Sequence, residues 1–313
     1  MFVTLSKLVQ KKVLGINQRN ADYILKYNPR PLYPLVDDKL LTKKLAIEAG
    51  MNVPQLYGVI EVQHQRRELA TLLNKHSDFV IKPACGSGGN GILVIQENKK
   101  DKYRKPNGMF LTEVDLKFHV SNIISGMYSL GGHPDKAIIE YRIQPDPVFE
   151  SISYQGVPDI RIIVFLGVPV MSMVRLPTFM SDGKANLHQG AIGAGIDIGT
   201  GKTLSAVYFD EIIYEHPNTG NSVVGIQIPE WDKFLNLATR CYELTGLGYQ
   251  GVDIVLDKNY GPMILELNAR PGLNIQIANN VGLLERLEIV EKNWKDLKSA
   301  SERIDFAKKH FKV

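Results

Sequence analysis

The chain has 313 residues, 44% apolar and 22% charged, with a formal net charge of +4. This length buries a sizeable core and allows one large domain or two to three lobes, and the composition is that of an ordinary globular protein. So small a positive balance does not argue for nucleic acid and is compatible with an anionic small molecule such as a nucleotide.

The opening stretch, MFVTLSKLVQKKVLG, is broken by Lys7, Lys11 and Lys12 and reads as an amphipathic helix, not a signal peptide. A second helix falls around Ala21–Tyr27, before the Pro-punctuated NPRPLYP. From Asp37 to Ala49 an acidic start, helical apolar spacing and a stop at Gly50 predict a helix, with Lys39, Lys43 and Lys44 on a solvated face. Strands follow at Gln55–Ile60 and Asp78–Lys82, with a helix at Arg66–Asn74 between them. Then comes FVIKPACGSGGNGILVI, where Gly86, Gly88 and Gly91 fit GxGxxG. A dinucleotide fingerprint needs a helix next, but Ile92–Ile95 is β-branched and apolar, so this glycine loop joins two strands. Such a loop can fold over phosphates through its backbone N–H groups, and Lys82 on the strand leading in adds a point charge.

A helix over Glu113–Tyr128 and the strand KAIIEYRIQPDP come next; that strand's exit, with Glu140 and Ile143, suits the edge of a flat base. Asp159–Leu176 reads as two strands about a tight turn, with Arg161 and Arg175 interrupting buried runs. Charges there need partners: an ion pair explains one and an anionic ligand explains both. Ser181–Gly195 is Gly-rich and polar, a mobile loop with Asn186 and His188 as candidate contacts. Gly201-Lys202-Thr203 is no P-loop, because Ile196 stands where the first glycine belongs. Trp231–Thr245 is an amphipathic helix, and Leu283–Leu297 and Ile304–Phe311 are charged, amphipathic packing or dimer helices. The longest apolar run, Ile162–Val174, contains Gly167 and Pro169 and is too short to span a bilayer. Cys85 and Cys241 form no CxxC pair, which suggests buried thiols in a reducing compartment. The expectation is a cytoplasmic protein.

The stretch GVDIVLDKNYGPMILELNARPG, from Gly251 to Gly272, carries the clearest chemistry. Two apolar runs flank DKNYG, which is a hairpin signal. Asp253 and Glu266 lie equally far from a centre between Asn259 and Tyr260 and so face each other. Asn268, two past Glu266, shares its side of the sheet. Facing carboxylates repel unless a cation separates them. Oxygen-only ligands that leave room for water and phosphate suit Mg²⁺ better than Zn²⁺.

Taken together, the lysine in DDKLLTK, the VIKP strand, the glycine hairpin, EYRI, DIR, NLH and LELNARPG resemble the ATP-grasp superfamily of carboxylate–amine ligases. More closely they resemble its RimK-type α-L-glutamate ligase-like branch. The resemblance covers roughly Asp37–Asn280. It implies an α+β ATP-grasp fold, two α+β lobes gripping ATP between antiparallel sheets, with a truncated pre-ATP-grasp segment over residues 1–36. The ATP-grasp domain would span 37–280 (small lobe about 55–140, large lobe about 141–280), and C-terminal helices 281–313. Lys39 and Lys82 resemble the ATP lysines; Gly86, Ser87, Gly88, Gly89 and Gly91 the phosphate-covering loop; Glu140, Tyr141 and Ile143 the adenine hinge. Asp146 and Glu150 compete for the ribose. Asp253, Glu266 and Asn268 resemble the Mg²⁺ ligands (Mn²⁺ as substitute), Arg161 the arginine near the transferred phosphoryl group, and Asn186 a phosphate or substrate contact. Arg270 stands where many glutamate ligases have serine and is taken as catalytic; His188 is the candidate base.

The implied activity is ATP-dependent amide-bond formation through an acyl phosphate, adding an amino acid such as glutamate to a peptide or small-molecule carboxylate. A homodimer or a substrate-presenting partner protein would replace the reduced front segment. The alternative is a degenerate domain that binds nucleotide as a sensor or scaffold.

Overall fold

A four-stranded antiparallel sheet organises the smaller of two units in the computed structural model, which describes residues 5–86, 88–99, 102–209 and 211–313. This unit takes Asp38–Lys43 and Val53–Ile143. Its strands are β1 (Leu56–Ile60), β2 (Phe79–Pro83), β3 (Leu93–Ile95), β4 (Glu97–Lys99), β5 (Lys102–Arg104), β6 (Phe110–Thr112) and β7 (Ala137–Glu140). The larger sheet runs β1-β7-β2-β3, and β4-β5-β6 form a second. Leu116, Val120 and Ile123 recur at i, i+4 and i+7 along the helix Glu113–Ile124, and that face packs on Phe79 and Ile81 of β2. Thr112 and Asp115 form a reciprocal capping box at its start. The helix stops at Ile124 and does not run on to Tyr128. Gly126 turns with φ +85°, and a side chain there would meet the His133 carbonyl oxygen at 2.3 Å. The helix predicted at Arg66–Asn74 is a 3₁₀ stretch, Gln63–Glu68, followed by a short α-helix, Leu69–Leu73. β2 and β3 pair directly, so the glycine loop does join two strands; Ser87 lies outside the described residues.

The larger unit takes residues up to Asp37, Lys44–Asn52 and Gln144–Val313. Its strands are β8 (Asp159–Phe165), β9 (Val168–Leu176), β10 (Ile192–Ile196), β11 (Thr203–Tyr208), β12 (Glu211–Ile213), β13 (Tyr249–Asp257) and β14 (Gly261–Asn268). They form one antiparallel sheet in the order β12-β11-β10-β9-β8-β13-β14. β13 is buried along its whole length, and this explains a nearly unbroken apolar run where a half-exposed strand would alternate. The helix Trp231–Thr245 has the predicted limits, and the helix Ala300–Phe311 lies against β9. Among the described residues no helix is long and apolar enough to cross a membrane.

The end of the expected mobile loop Ser181–Gly195 belongs instead to β10, which is fully buried. Its glycines serve close packing. A Cβ at Gly193 would come within 3.0 Å of Leu187 Cδ2, and one at Gly195 within 2.6 Å of the Ala278 carbonyl oxygen.

A Cβ at Gly251 would lie 2.7 Å from Pro271 Cβ, whereas one at Gly272 would meet nothing within 4 Å. Gly251→Ala is therefore expected to destabilise the fold by about 1–3 kcal/mol. Gly272→Ala should leave the thermal unfolding midpoint close to that of the parent chain.

Candidate functional site

In the smaller unit one buried carboxylate holds two buried lysines. Glu140 closes β7, and across the β2–β7 register Val80 faces Glu140 while Lys82 faces Ile138. Lys82 and Val80 share a face, so Lys82 reaches Glu140 diagonally. Lys82 Nζ lies 2.5 Å from Glu140 Oε1, and Lys43 Nζ lies 3.1 Å from Oε2. Lys43 also donates to the Pro54 carbonyl at 2.5 Å. Burial pushes the Glu140 carboxyl up, but the Lys82 and Lys43 ammonium groups more than offset this and hold it below the usual carboxylate range. Burial pushes Lys43 down to about 8, against the pull of Glu140. Lys43 is thus no member of a solvated helix face: only 5% of its side chain is exposed. Its helical spacing gave no sign of this, because the partner lies far along the chain.

Lys39 meets the root of the glycine loop: its Nζ donates to the Gly86 carbonyl at 2.5 Å and its N–H to that of Ala84 at 2.9 Å. Gly88, Gly89 and Gly91 all have positive φ, between 64° and 79°, a path that L side chains resist. The Asp135 carboxylate accepts from the Cys85 N–H and from Ser129 Oγ, and His119 Nε2 lies 3.0 Å from the Gly91 carbonyl oxygen. Asp135 and His119 went unread in the sequence, since nothing local distinguishes them from surface polar residues.

In the larger unit a row of charges runs across β9, β8, β13 and β14. The register pairs Asp159 with Arg175, Arg161 with Asp253, and Asp253 with Glu266. The last pairing has the symmetry about Asn259 and Tyr260 that the hairpin pattern predicts. Arg161 grips Asp253 through both edges, Nε to Oδ1 at 2.7 Å and Nη2 to Oδ2 at 2.6 Å. Arg175 holds Asp159 in the same way, at 2.5 and 2.6 Å, and reaches Asp253 Oδ2 at 2.8 Å. Ion pairs therefore account for both arginines. Asn268 Nδ2 sits 3.2 Å from Asp253 Oδ2 and 3.4 Å from Glu266 Oε1.

Burial pushes the Asp253 carboxyl up, but Arg161 and Arg175 reverse the effect and hold it at about 2, so it is ionised at neutral pH. Burial pushes Asp159 up, with Arg175 pulling against it. Among the described residues no group of three or more His, Cys, Asp or Glu could hold a metal, so a cation here needs the Asn268 amide as a ligand. The donors fit that requirement. An ionised carboxylate has about four lone-pair positions, two on each oxygen; Asp253 Oδ1 accepts one N–H, from Arg161, while Oδ2 is crowded by three, from Arg161, Arg175 and Asn268. Half a turn of the Asn268 amide frees one position and brings its own oxygen to the same point. Two carboxylates and an amide oxygen then suit a hard divalent cation.

The remaining candidates stand apart. The Tyr141 N–H donates to the Gln55 carbonyl at 2.9 Å, and Ile143 is buried. Asp146 caps a 3₁₀ turn by accepting from the Val148 N–H, while Glu150 is exposed. Asn186 accepts from the N–H of exposed His188. Arg270 is exposed, with its guanidinium carbon 5.2 Å from the centre of the Tyr33 ring. No contact among the described residues ties Asp146, Asn186 or Arg270 to the charged row.

The sugar-transfer associated ATP-grasp family matches residues 18–292. The chain belongs to that family. The α+β architecture with antiparallel sheets is accordingly the ATP-grasp fold. Among solved structures, the D-cycloserine synthetase DcsG is 17% identical, with 86% of this chain and 73% of that one covered at a TM-score of 0.50. The ATP-grasp ligase PsnB, complexed with a minimal precursor, is 15% identical at a TM-score of 0.45. That likeness covers 86% of this chain, which spans 63% of the PsnB chain. No curated protein matches.

Two expectations follow for this ATP-grasp chain. Glu140→Gln would leave Lys82 and Lys43 buried together without their acid, so a loss of about 3–5 kcal/mol is expected in denaturant unfolding. Lys43 holds its proton less tightly when folded, about 8 against an ordinary 10.5. The cost of its charge is therefore full below pH 8 and is relieved as pH rises toward 10.5. Stability of the parent chain relative to Lys43→Met should rise across that window, by up to about 3 kcal/mol.

Proposed function

We propose that the chain is an ATP-dependent carboxylate–amine ligase of the RimK-like kind. It forms a peptide-type amide through an acyl phosphate, with an amino acid such as glutamate as the amine and a peptide or small-molecule acid as acceptor. The observation that carries this reading is the Asp253–Glu266–Asn268 oxygen set beside the Arg161 and Arg175 guanidinium groups. A carboxylate does not condense with an amine directly, because oxide is not a leaving group. In the proposed sequence the carboxylate oxygen attacks the γ-phosphorus of ATP and ADP leaves. The amine nitrogen then attacks the acyl carbon, phosphate leaves, and the nitrogen gives up a proton. Mg²⁺ held by Asp253, Glu266 and Asn268 would supply charge neutralisation at the phosphate oxygens.

The rest falls to the chain's own groups. Arg161 offsets charge on the transferring phosphoryl group and Lys82 does so on the nucleotide phosphates, with Lys39 at the root of the glycine loop. Gly86–Gly91 closes over the phosphates through its backbone N–H groups. Glu140, Tyr141 and Ile143 are assigned to adenine, Asp146 to ribose, Asn186 to a phosphate or substrate contact and Arg270 to the reacting carboxylate. Residues 1–36 are assigned as a front segment, 37–280 as the ATP-grasp domain and 281–313 as C-terminal helices. A homodimer or a presenting protein would complete the acceptor site.

One observation favours a second reading, a nucleotide-binding sensor: Asp253 is already neutralised by two arginines, so its place in the sheet does not require a metal. Turnover of ATP with Mg²⁺ across amino acids and short acidic peptides separates the two. The ligase sustains repeated ADP release only when both substrates are present, and an Asp253→Asn, Glu266→Gln double variant should lower that rate about 100-fold or more. AMP as product would overturn the acyl-phosphate route. Tight nucleotide binding without turnover would favour the sensor.

A further inference from the structure

Within the larger unit, a cavity of about 350 Å³ opens between the helical stretch 16–27 and the helix Leu284–Asn293. Its walls carry three carboxylates, Asp22, Glu288 and Glu291, against one ammonium group, Lys26. That lysine is already committed. Its Nζ lies 2.6 Å from Glu291 Oε1 and 5.0 Å from the centre of the Tyr27 ring, and the Tyr27 hydroxyl donates to the same Glu291 oxygen. Glu288 has a long contact with Lys12, 3.6 Å, between two well-exposed side chains. Asp22 pairs with no cation among the described residues.

Surface acids are ordinarily just solvated; Tyr23 sets this cavity apart. It is only 4% exposed, yet it lines the cavity. Its ring stands edge-on to Phe165, with centroids 5.4 Å apart, and lies 6.2 Å from the Tyr249 ring. The ring is thus held in the core, and the hydroxyl end is what meets the cavity. That hydroxyl has no hydrogen-bond partner among the described residues, an unfavourable state for a buried polar group. Burial, then Glu291, Glu288 and Asp22, push the phenol up to about 12, so it stays neutral and its oxygen can accept an N–H. Asp22 and Tyr23 both sit on the π-helical turn Arg19–Ile24, a widened turn often found at functional sites. The Tyr249–Phe165 pair stands four residues along β13 and β8 from the Asp253–Arg161 pair, about 13 Å. The cavity is therefore separate from the charged row.

We infer that this cavity binds a small organic diammonium ion, one ammonium group between Asp22 and the Tyr23 hydroxyl and the other toward Glu288. Three wall carboxylates against one committed lysine leave two charges to neutralise, which a dication matches. A hard metal ion needs several oxygens converging within about 2.6 Å, and among the described residues no three acids gather in that way. The volume is at the lower end for a small-molecule site, and Leu284 with the Tyr23 ring offers an apolar wall for an alkyl chain. The site is independent of the ligase reading.

The test titrates the full chain with 1,4-diaminobutane at constant ionic strength against sodium chloride, reading half-saturation from the rise in unfolding temperature. A saturable rise is expected, and its absence would overturn the site. Asp22 is exposed, so Asp22→Asn should fold normally and raise the half-saturating concentration about tenfold. Tyr23→Phe keeps the packed ring and loses only the hydroxyl, and a rise of about fivefold or more is expected. If Tyr23→Phe binds like the parent while Asp22→Asn does not, the ion sits on surface acids and the cavity is not its site. Glu68→Gln removes an exposed acid of the smaller unit and should change nothing; an equal shift there would mean diffuse charge binding and sink the proposal. Nα-acetyl-lysine methylamide, with a single ammonium group, should bind more weakly. Tighter binding by it would replace the small diammonium ion with a protein's lysine side chain. Any stabilisation by Mg²⁺ should be indifferent to Asp22→Asn, and sensitivity to that change would make this a metal site instead.

Discussion

The Asp253 carboxylate is the constraint around which the larger unit is built. It is fully buried on β13, one strand in from the edge of a seven-stranded sheet, where a lone charge would cost several kcal/mol. Arg161 comes from one side and Arg175 reaches past Arg161's strand to the same oxygen, so two cations on two strands converge on one acid. That convergence requires β8 and β9 in a fixed register, because a slip of one residue would turn every one of these side chains to the other face. Asp159 then balances Arg175, and Glu266 and Asn268 line up on β14. A buried row of this kind is a poor source of net stability, since desolvation consumes most of the attraction. What it provides is oriented charge in a place water does not screen.

The smaller unit solves a related problem with the opposite sign. Glu140 alone faces Lys82 and Lys43, leaving an excess of one positive charge among three buried groups. The strain shows in Lys43, whose proton is loosened by burial. A phosphate near Lys82 would draw on that excess, and the same carboxylate would keep both ammonium groups pointed. Lys39 is handled differently. Its ammonium is spent on the Gly86 carbonyl, so it ties the root of the glycine loop to the start of the helix Lys39–Glu48.

Local patterns in the sequence carried a good part of this. Period-two geometry in GVDIVLDKNYGPMILELN was enough to place Asp253 opposite Glu266, because a hairpin about a short turn has few registers. The helix Trp231–Thr245 was legible at both ends for a similar reason: apolar spacing inside it and Gly246 just beyond. What escaped depends on strand order. Nothing near Arg175 in the chain says that Asp159 faces it and that Asp253 lies within its reach, and nothing near Lys43 points to Glu140. The stretch Ile192–Ile196 escaped because its glycines resemble loop composition, whereas in the fold they make room for Leu187 and for the backbone at Ala278. Helix ends set by glycine approach, as at Gly126, were misjudged for the same reason: the atom that forbids a side chain belongs to a residue several positions on.

Gly251 joins these two kinds of information. In the strand pattern it is a weak position, a residue without a side chain in an otherwise packed run. In the fold its bareness lets Pro271 settle on the sheet, and that contact sets where the chain goes after Asn268. The segment would otherwise leave the sheet as a free loop, with Arg270 sampling many directions at a cost of about 1–2 kcal/mol per residue to order again. Instead Pro271 is pressed on Gly251, its carbonyl is taken by Arg19, and the Ala269 carbonyl is taken by Asn28. The ordering entropy is thus spent during folding, by residues far away in the sequence. This gives the N-terminal segment a physical role: the strand pair carries Asp253, Glu266 and Asn268, and Asn28 and Arg19 immobilise the Ala269–Gly272 segment beyond them.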